Sequence, residues 1–181
     1  MSDTLSVCGL TICRGSKLRT MLPVPGTEIE IPLTIINGAS DGPTLLVTAG
    51  IHGGEYAMEL GRSLDPQEIH GSLIMLHPVN IQGFWARREF IVPEDGKNLN
   101  RVFPGNPNGT LSEKTAGLIS SSFFPLADFY VELHSGYSRK PAPICLLSRP
   151  ADRGTGGKSP QRCQGIKRGI YGAFNGNGRR L

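Results

Sequence analysis

The pattern of apolar and polar positions marks out an alternation of strands and helices. Glu28 to Ile36 alternates and is β-branched, which predicts a strand with one polar face, and Pro32 within it favours a sheet edge. After the turn residues 37–43, the apolar run Leu45-Leu46-Val47 leads into Thr48-Ala49-Gly50 and reads as a buried strand. Ile51-His52-Gly53-Gly54-Glu55 is then a sharp glycine-rich turn. From Glu55 to Leu64, Ala57, Leu60, Gly61 and Leu64 recur at helical spacing until Asp65-Pro66 stops the helix. Ser72 to Val79 is a second buried strand, with His77 read as a hydrogen-bonded core histidine and His70 before it as a surface one. Thr110 and Glu113 have the spacing of a capping box and open a helix that runs to about Phe124. Phe129, Tyr130, Val131 and Leu133 form a last strand ending at His134. Residues 1–27 carry little pattern, and 81–109 form a long connection. Strands alternating with helices predict an α/β fold.

A chain of 181 residues with 38% hydrophobic content has enough length for a core. No apolar run approaches the roughly 18 residues of a membrane helix, and the first residues lack the pattern of a secretory signal. The expected setting is therefore cytoplasmic, with no membrane partner. Four cysteines without C-x-x-C spacing read as reduced thiols. The net charge of +4 is unevenly spread. Through Gly136 there are 9 Lys+Arg and 14 Asp+Glu, a net of −5, whereas Tyr137 to Leu181 carries 10 basic residues and the single acid Asp152, a net of +9. The basic part lacks interleaved aromatics and a helical stripe, so no nucleic-acid partner is expected.

The chemistry concentrates at two strand ends. In open α/β sheets, ligands bind at the carboxyl ends of strands. His52 and Glu55 stand at one such end, with two glycines between them that remove side-chain bulk. His134 stands at another. Together they make a His₂Glu donor set suited to one catalytic Zn²⁺, which takes three protein ligands and leaves a position for water. Glu132 shares a strand face with His134 and could bond a ligand or form an ordinary salt bridge. The 81–109 connection holds Arg87, Arg88, Lys97, Asn98, Asn100 and Arg101, groups that suit a substrate carboxylate. The competing reading pairs Arg87 and Arg88 with Glu89, Glu94 or Asp95 at a surface.

Four stretches in order, AGIHGGEY, PVNIQGF, DGKNLNRVFPG and DFYVELHSG, resemble the succinylglutamate desuccinylase/aspartoacylase family of zinc carboxypeptidase-like hydrolases. They fall within residues 28–136. The resemblance implies a three-layer α/β/α domain with a mixed sheet and one Zn²⁺ held by His52, Glu55 and His134. It implies that Asn100 and Arg101 bind the substrate carboxylate, and that Arg88 or Arg87 polarises the scissile carbonyl. The implied reaction is hydrolysis of the amide bond of an acylated amino acid or a related small carboxylate.

One implied group is missing from the sequence. The resemblance calls for a proton-shuttling glutamate well beyond the third ligand, and no glutamate follows His134. Residues 1–136 therefore read as the N-terminal part of the domain, incomplete on its C-terminal side. Residues 137–181 read as an irregular basic tail rich in Gly, Pro and Arg. The abrupt charge change at Gly136 suggests an out-of-frame translation, since Gly136 to Cys145 read one base later admits an acidic, strand-like continuation; sequencing the gene tests it. Two functions stay open: a zinc-dependent deacylase, impaired in this form, and a non-catalytic protein that binds metal or a carboxylate. Missing later strands would leave unpaired sheet edges, which favours self-association.

Overall fold

The computed structural model describes residues 3–53, 60–135 and 143–148; for Leu60, Ser135 and 143–148 only the backbone is described. Thr4–Val7 (β1) and Leu10–Cys13 (β2) make a small antiparallel hairpin. Ser16–Pro23 (β3), Glu30–Asn37 (β4), Ser40–Ala49 (β5), His70–Leu76 (β6), Phe129–Ser135 (β7) and Pro143–Ser148 (β8) form one six-stranded sheet. Its order is β3-β4-β6-β5-β7-β8. The centre, β6-β5-β7, is parallel, and the flanking pairs are antiparallel. The sheet is mixed and the fold is α/β.

Alternation along the strands gives each face its own core. On one face Leu33, Ile35, Leu46, Ile74 and Leu76 pack beneath helix α3, Leu111–Ser122, through its Leu111, Ala116 and Ile119, with Phe123 just beyond its end. On the other face Ile36, Val47, Leu73 and Met75 meet Leu64, Ile69, Val131 and Leu133. The short helical segment Leu60–Ser63 (α1) lies on this side, where Gly61 abuts the Met75 and Thr34 side chains. Helical structure thus covers both faces, giving the three layers expected.

The capping-box prediction for α3 locates its start. The Thr110 N–H donates to Glu113 Oε2 at 2.9 Å, and the Thr110 hydroxyl turns to the same oxygen at 3.2 Å. His77 is buried, with Nε2 3.2 Å from Thr34 Oγ1, and His70 is exposed at the start of β6 beside Ser40.

Three expectations need correction. Residues 1–27 are not patternless in space: they supply β1, β2 and β3, whose pairing is long-range and leaves only a weak sequence signal. Pro32 is not on an edge strand, because β4 lies between β3 and β6. It is tolerated because the β4–β6 pairing begins at Leu33, and the Pro32 carbonyl meets His77 N–H, just past the end of β6, at 3.1 Å. The missing N–H faces the same way, beyond the last pair. Finally, the stretch read as an irregular tail contains β8, whose backbone pairs with all of 130–135 in β7; pairing satisfies backbone groups that β7 would otherwise expose. The rest of 137–181, including the frame question, lies outside the described residues.

Candidate metal centre

Parallel pairing of β5 and β7 decides what meets at the site. The register Ala49↔Leu133 places Gly50 beside His134 at the carboxyl end of the sheet. Gly50 has φ +67°, the left-handed region that favours glycine, and turns the chain off the strand. His52 follows two residues later. Its ring centroid lies 5.3 Å from that of His134, with the planes tilted by 38°. The two imidazoles expected from distant sequence therefore converge. Glu55 lies outside the described residues, and among the described residues no third His, Cys, Asp or Glu completes a metal-holding group.

The loop after Gly96 fixes His52. Asn98 Oδ1 accepts the Asn100 N–H at 3.0 Å, which identifies that atom as the amide oxygen, and it lies 3.3 Å from His52 Nε2. An acceptor oxygen meets an imidazole nitrogen favourably only across a proton. His52 Nε2 thus carries a hydrogen directed at Asn98 Oδ1. Asn98 had been grouped with substrate-binding amides; the structure gives it to the histidine instead. Nothing in the spacing of Asn98 marks this role, because its partner is 46 positions away. His134 meets the carboxylate of Glu132. Glu132 Oε1 lies 2.7 Å from His134 Nε2, and both side chains are nearly enclosed. The carboxylate oxygen is in ion-pair range, but its angle to the ring falls short of an aligned hydrogen bond.

The rim is built by the end of helix α2, Ile81–Trp85. Arg87 N–H bonds to Phe84 O at 3.2 Å, and Arg88 N–H reaches back to Gly83 O at 2.8 Å. This is a Schellman closure with Arg87 at the left-handed position, φ +51°, where glycine is usual. The closure brings the Arg88 carbonyl and Gly83 against Gly53: a Cβ on Gly53 would lie 2.3 Å from Arg88 O. Phe90 then meets His52 edge-on at 5.6 Å. Among the described residues, neither Arg87 nor Arg88 pairs with Glu89, Glu94 or Asp95. Glu94 meets Gln82, and Asp95 is engaged elsewhere. Asn100 is half-buried and Arg101 exposed, both in the single 3₁₀ turn Leu99–Arg101 that starts at Asn98. Leu99, buried in the core, plugs this turn in place.

Asp95 ties the same loop to α3. Its carboxylate accepts the Ser112 N–H and hydroxyl, each at 2.8 Å, and the Lys97 N–H at 3.1 Å. Lys97 in turn pairs with Glu113 at 3.0 Å. Burial acts to raise the Asp95 carboxyl, but the bonds from Ser112, Thr110 and Lys97 outweigh it and hold the group below its usual range. Because the folded-state value is depressed, the stability it contributes is complete above the ordinary aspartate range of about 4 and is lost as pH falls through the folded value. Asp95→Ala is expected to cost about 1 kcal/mol near neutral pH, the scale of a lost helix cap. Urea melts should show that difference narrowing below about pH 4.

Tyr130 lies on the same strand face as Glu132 and His134. Burial, then the Glu132 charge, push its hydroxyl well above the usual range, against a smaller effect from Thr48, whose Oγ1 is 2.7 Å away. It stays a protonated phenol in the core beneath this strand face.

The sequence and the fold match one protein family. The succinylglutamate desuccinylase/aspartoacylase catalytic domain matches residues 41–155 of this chain. The N-alpha-acetyl-L-2,4-diaminobutyric acid deacetylase of Halomonas elongata is 35% identical over 125 residues, which are 64% of this chain and 36% of that protein. The crystal structure of a succinylglutamate desuccinylase/aspartoacylase from Rhodobacter sphaeroides superposes with a TM-score of 0.65 at 34% identity, over 74% of this chain and 44% of that one. The product-bound ectoine utilization protein EutE (DoeB) of Ruegeria pomeroyi gives 0.62 at 32% identity, over 75% and 44%. The chain belongs to the succinylglutamate desuccinylase/aspartoacylase family, and it spans less than half the length of each of these relatives.

Proposed function

We propose that this chain carries the metal-binding part of a zinc-dependent deacylase, acting on the amide bond of an N-acyl amino acid or a similar small carboxylate. The observation that carries this reading is the delivery of His52 and His134 from two parallel strand ends to a ring separation of 5.3 Å. His52, Glu55 and His134 would hold the ion, and the imidazoles fit it: each has an acceptor oxygen facing Nε2, the arrangement that orients a histidine toward a divalent cation. Zinc, when bound, supplies Lewis acidity toward water and the scissile carbonyl.

The remaining roles fall to the chain itself. Asn100 and Arg101, on a turn braced by Leu99 and Asp95, take the substrate carboxylate. Arg88 stabilises the developing oxyanion; we assign it over Arg87 because its backbone abuts Gly53, while Arg87 occupies the left-handed turn position. Phe90 shields the His52 side of the pocket from water. A second reading keeps the same donor set but leaves out turnover. Under it the chain binds metal or a carboxylate without turnover.

Purified full-length chain, prepared with zinc, distinguishes them. Metal content is measured beside hydrolysis of N-alpha-acetyl-L-2,4-diaminobutyrate, succinylglutamate and acetylaspartate. Bound zinc with turnover, lost in Arg88→Ala but kept in Arg87→Gly, supports the deacylase and the arginine assignment. Zinc without turnover supports the binding protein. No zinc from a zinc-replete preparation sinks both.

A further inference from the structure

Glu132 has no evident reason to be buried where it is. It sits inside β7, paired across the sheet with Thr48, and the residue is only 8% exposed. An enclosed carboxylate is costly unless a proton or cation faces it. Its Oε1 has no aligned hydrogen bond among the described residues, yet lies 2.7 Å from His134 Nε2. Two bare lone pairs at that separation repel, so a hydrogen must lie between them. Tyr130, next on the same face, is engaged with Thr48, and among the described residues the imidazole is the group this oxygen meets. The contact is short because residues two apart on a strand share a face.

We propose that Glu132 is a positioning residue for His134: its carboxylate holds the proton on Nε2, so that the ring presents Nδ1 to a divalent cation, as Asn98 does for His52. This rests on the metal-site reading above. The two rings are then held by unlike acceptors, a charged carboxylate at His134 and a neutral amide at His52. Cation binding at Nδ1 and alignment of the Nε2 proton are coupled, because one rotation of the ring serves both. A carboxylate in this place also raises the basicity of the ring as a ligand.

The test uses the full chain, with Zn²⁺ affinity from chelator competition, the visible spectrum of the Co²⁺-loaded protein, and melting of the metal-free form. Glu132→Gln is expected to bind Zn²⁺ about 10- to 100-fold more weakly. Its Co²⁺ bands should stay in place and its metal-free melting temperature should not fall. Glu132→Asp, which keeps the charge, should recover part of the affinity. Unchanged affinity in Glu132→Gln overturns the proposal. So does a shift of the Co²⁺ bands, which would make Glu132 itself a ligand, or a metal-free form destabilised enough to explain the weaker binding. Failure of the unsubstituted chain to bind Zn²⁺ overturns the parent reading and this one together, and is seen before any variant is compared.

Discussion

Gly53→Ala is expected to cost the chain both stability and metal. A Cβ at this position would lie 2.3 Å from Arg88 O, 2.3 Å from the Gly83 carbonyl carbon and 2.4 Å from its oxygen. All three are backbone atoms, so no side chain can swing aside. They are also held to each other, since Arg88 N–H bonds to Gly83 O at 2.8 Å in the closure of α2. Relief requires moving either that closure or the turn that carries His52. Overpacking of this kind costs about 1–3 kcal/mol and sometimes more. The metal should suffer beyond that, because His52 is the adjacent residue and its ring geometry depends on where the turn sits. Urea melts together with zinc content measure both effects. A Gly53→Ala chain with unchanged stability and full zinc would show that the α2 closure does not press on this turn.

His134→Ala and His52→Ala should both abolish zinc retention through gel filtration, but their metal-free forms should differ. Removing His134 leaves the Glu132 carboxylate enclosed with none of the described residues facing Oε1, and an unsatisfied buried group of this kind costs about 1–3 kcal/mol or more. Removing His52 strands no such charge: Asn98 Oδ1 still accepts the Asn100 N–H at 3.0 Å. Metal analysis and thermal melts of the two apo-variants check this. Equal stability in the two would mean that His134 does nothing for Glu132. Zinc retained by either variant would remove that histidine from the donor set.

By itself the sequence determined the strand ends and what stands on them. The apolar run 45–47 has a glycine turn after it, and Phe129 to Leu133 leads into a histidine. Two such strands in an α/β chain are enough to place His52 and His134 at the ligand-binding end of a sheet. The helix from Thr110 was legible for a local reason, since a capping box acts over three residues. Tertiary structure alone decided which oxygens hold the rings. Asn98 and His52 are joined across 46 positions, and Asp95 reaches Ser112 across 17; neither contact leaves a periodic trace. The same holds for β3, which pairs residue by residue with β4 although its own pattern is weak. Period-two and period-3.6 patterns report which way a side chain faces. Which group it meets there depends on strand order and register, set only when the whole sheet assembles.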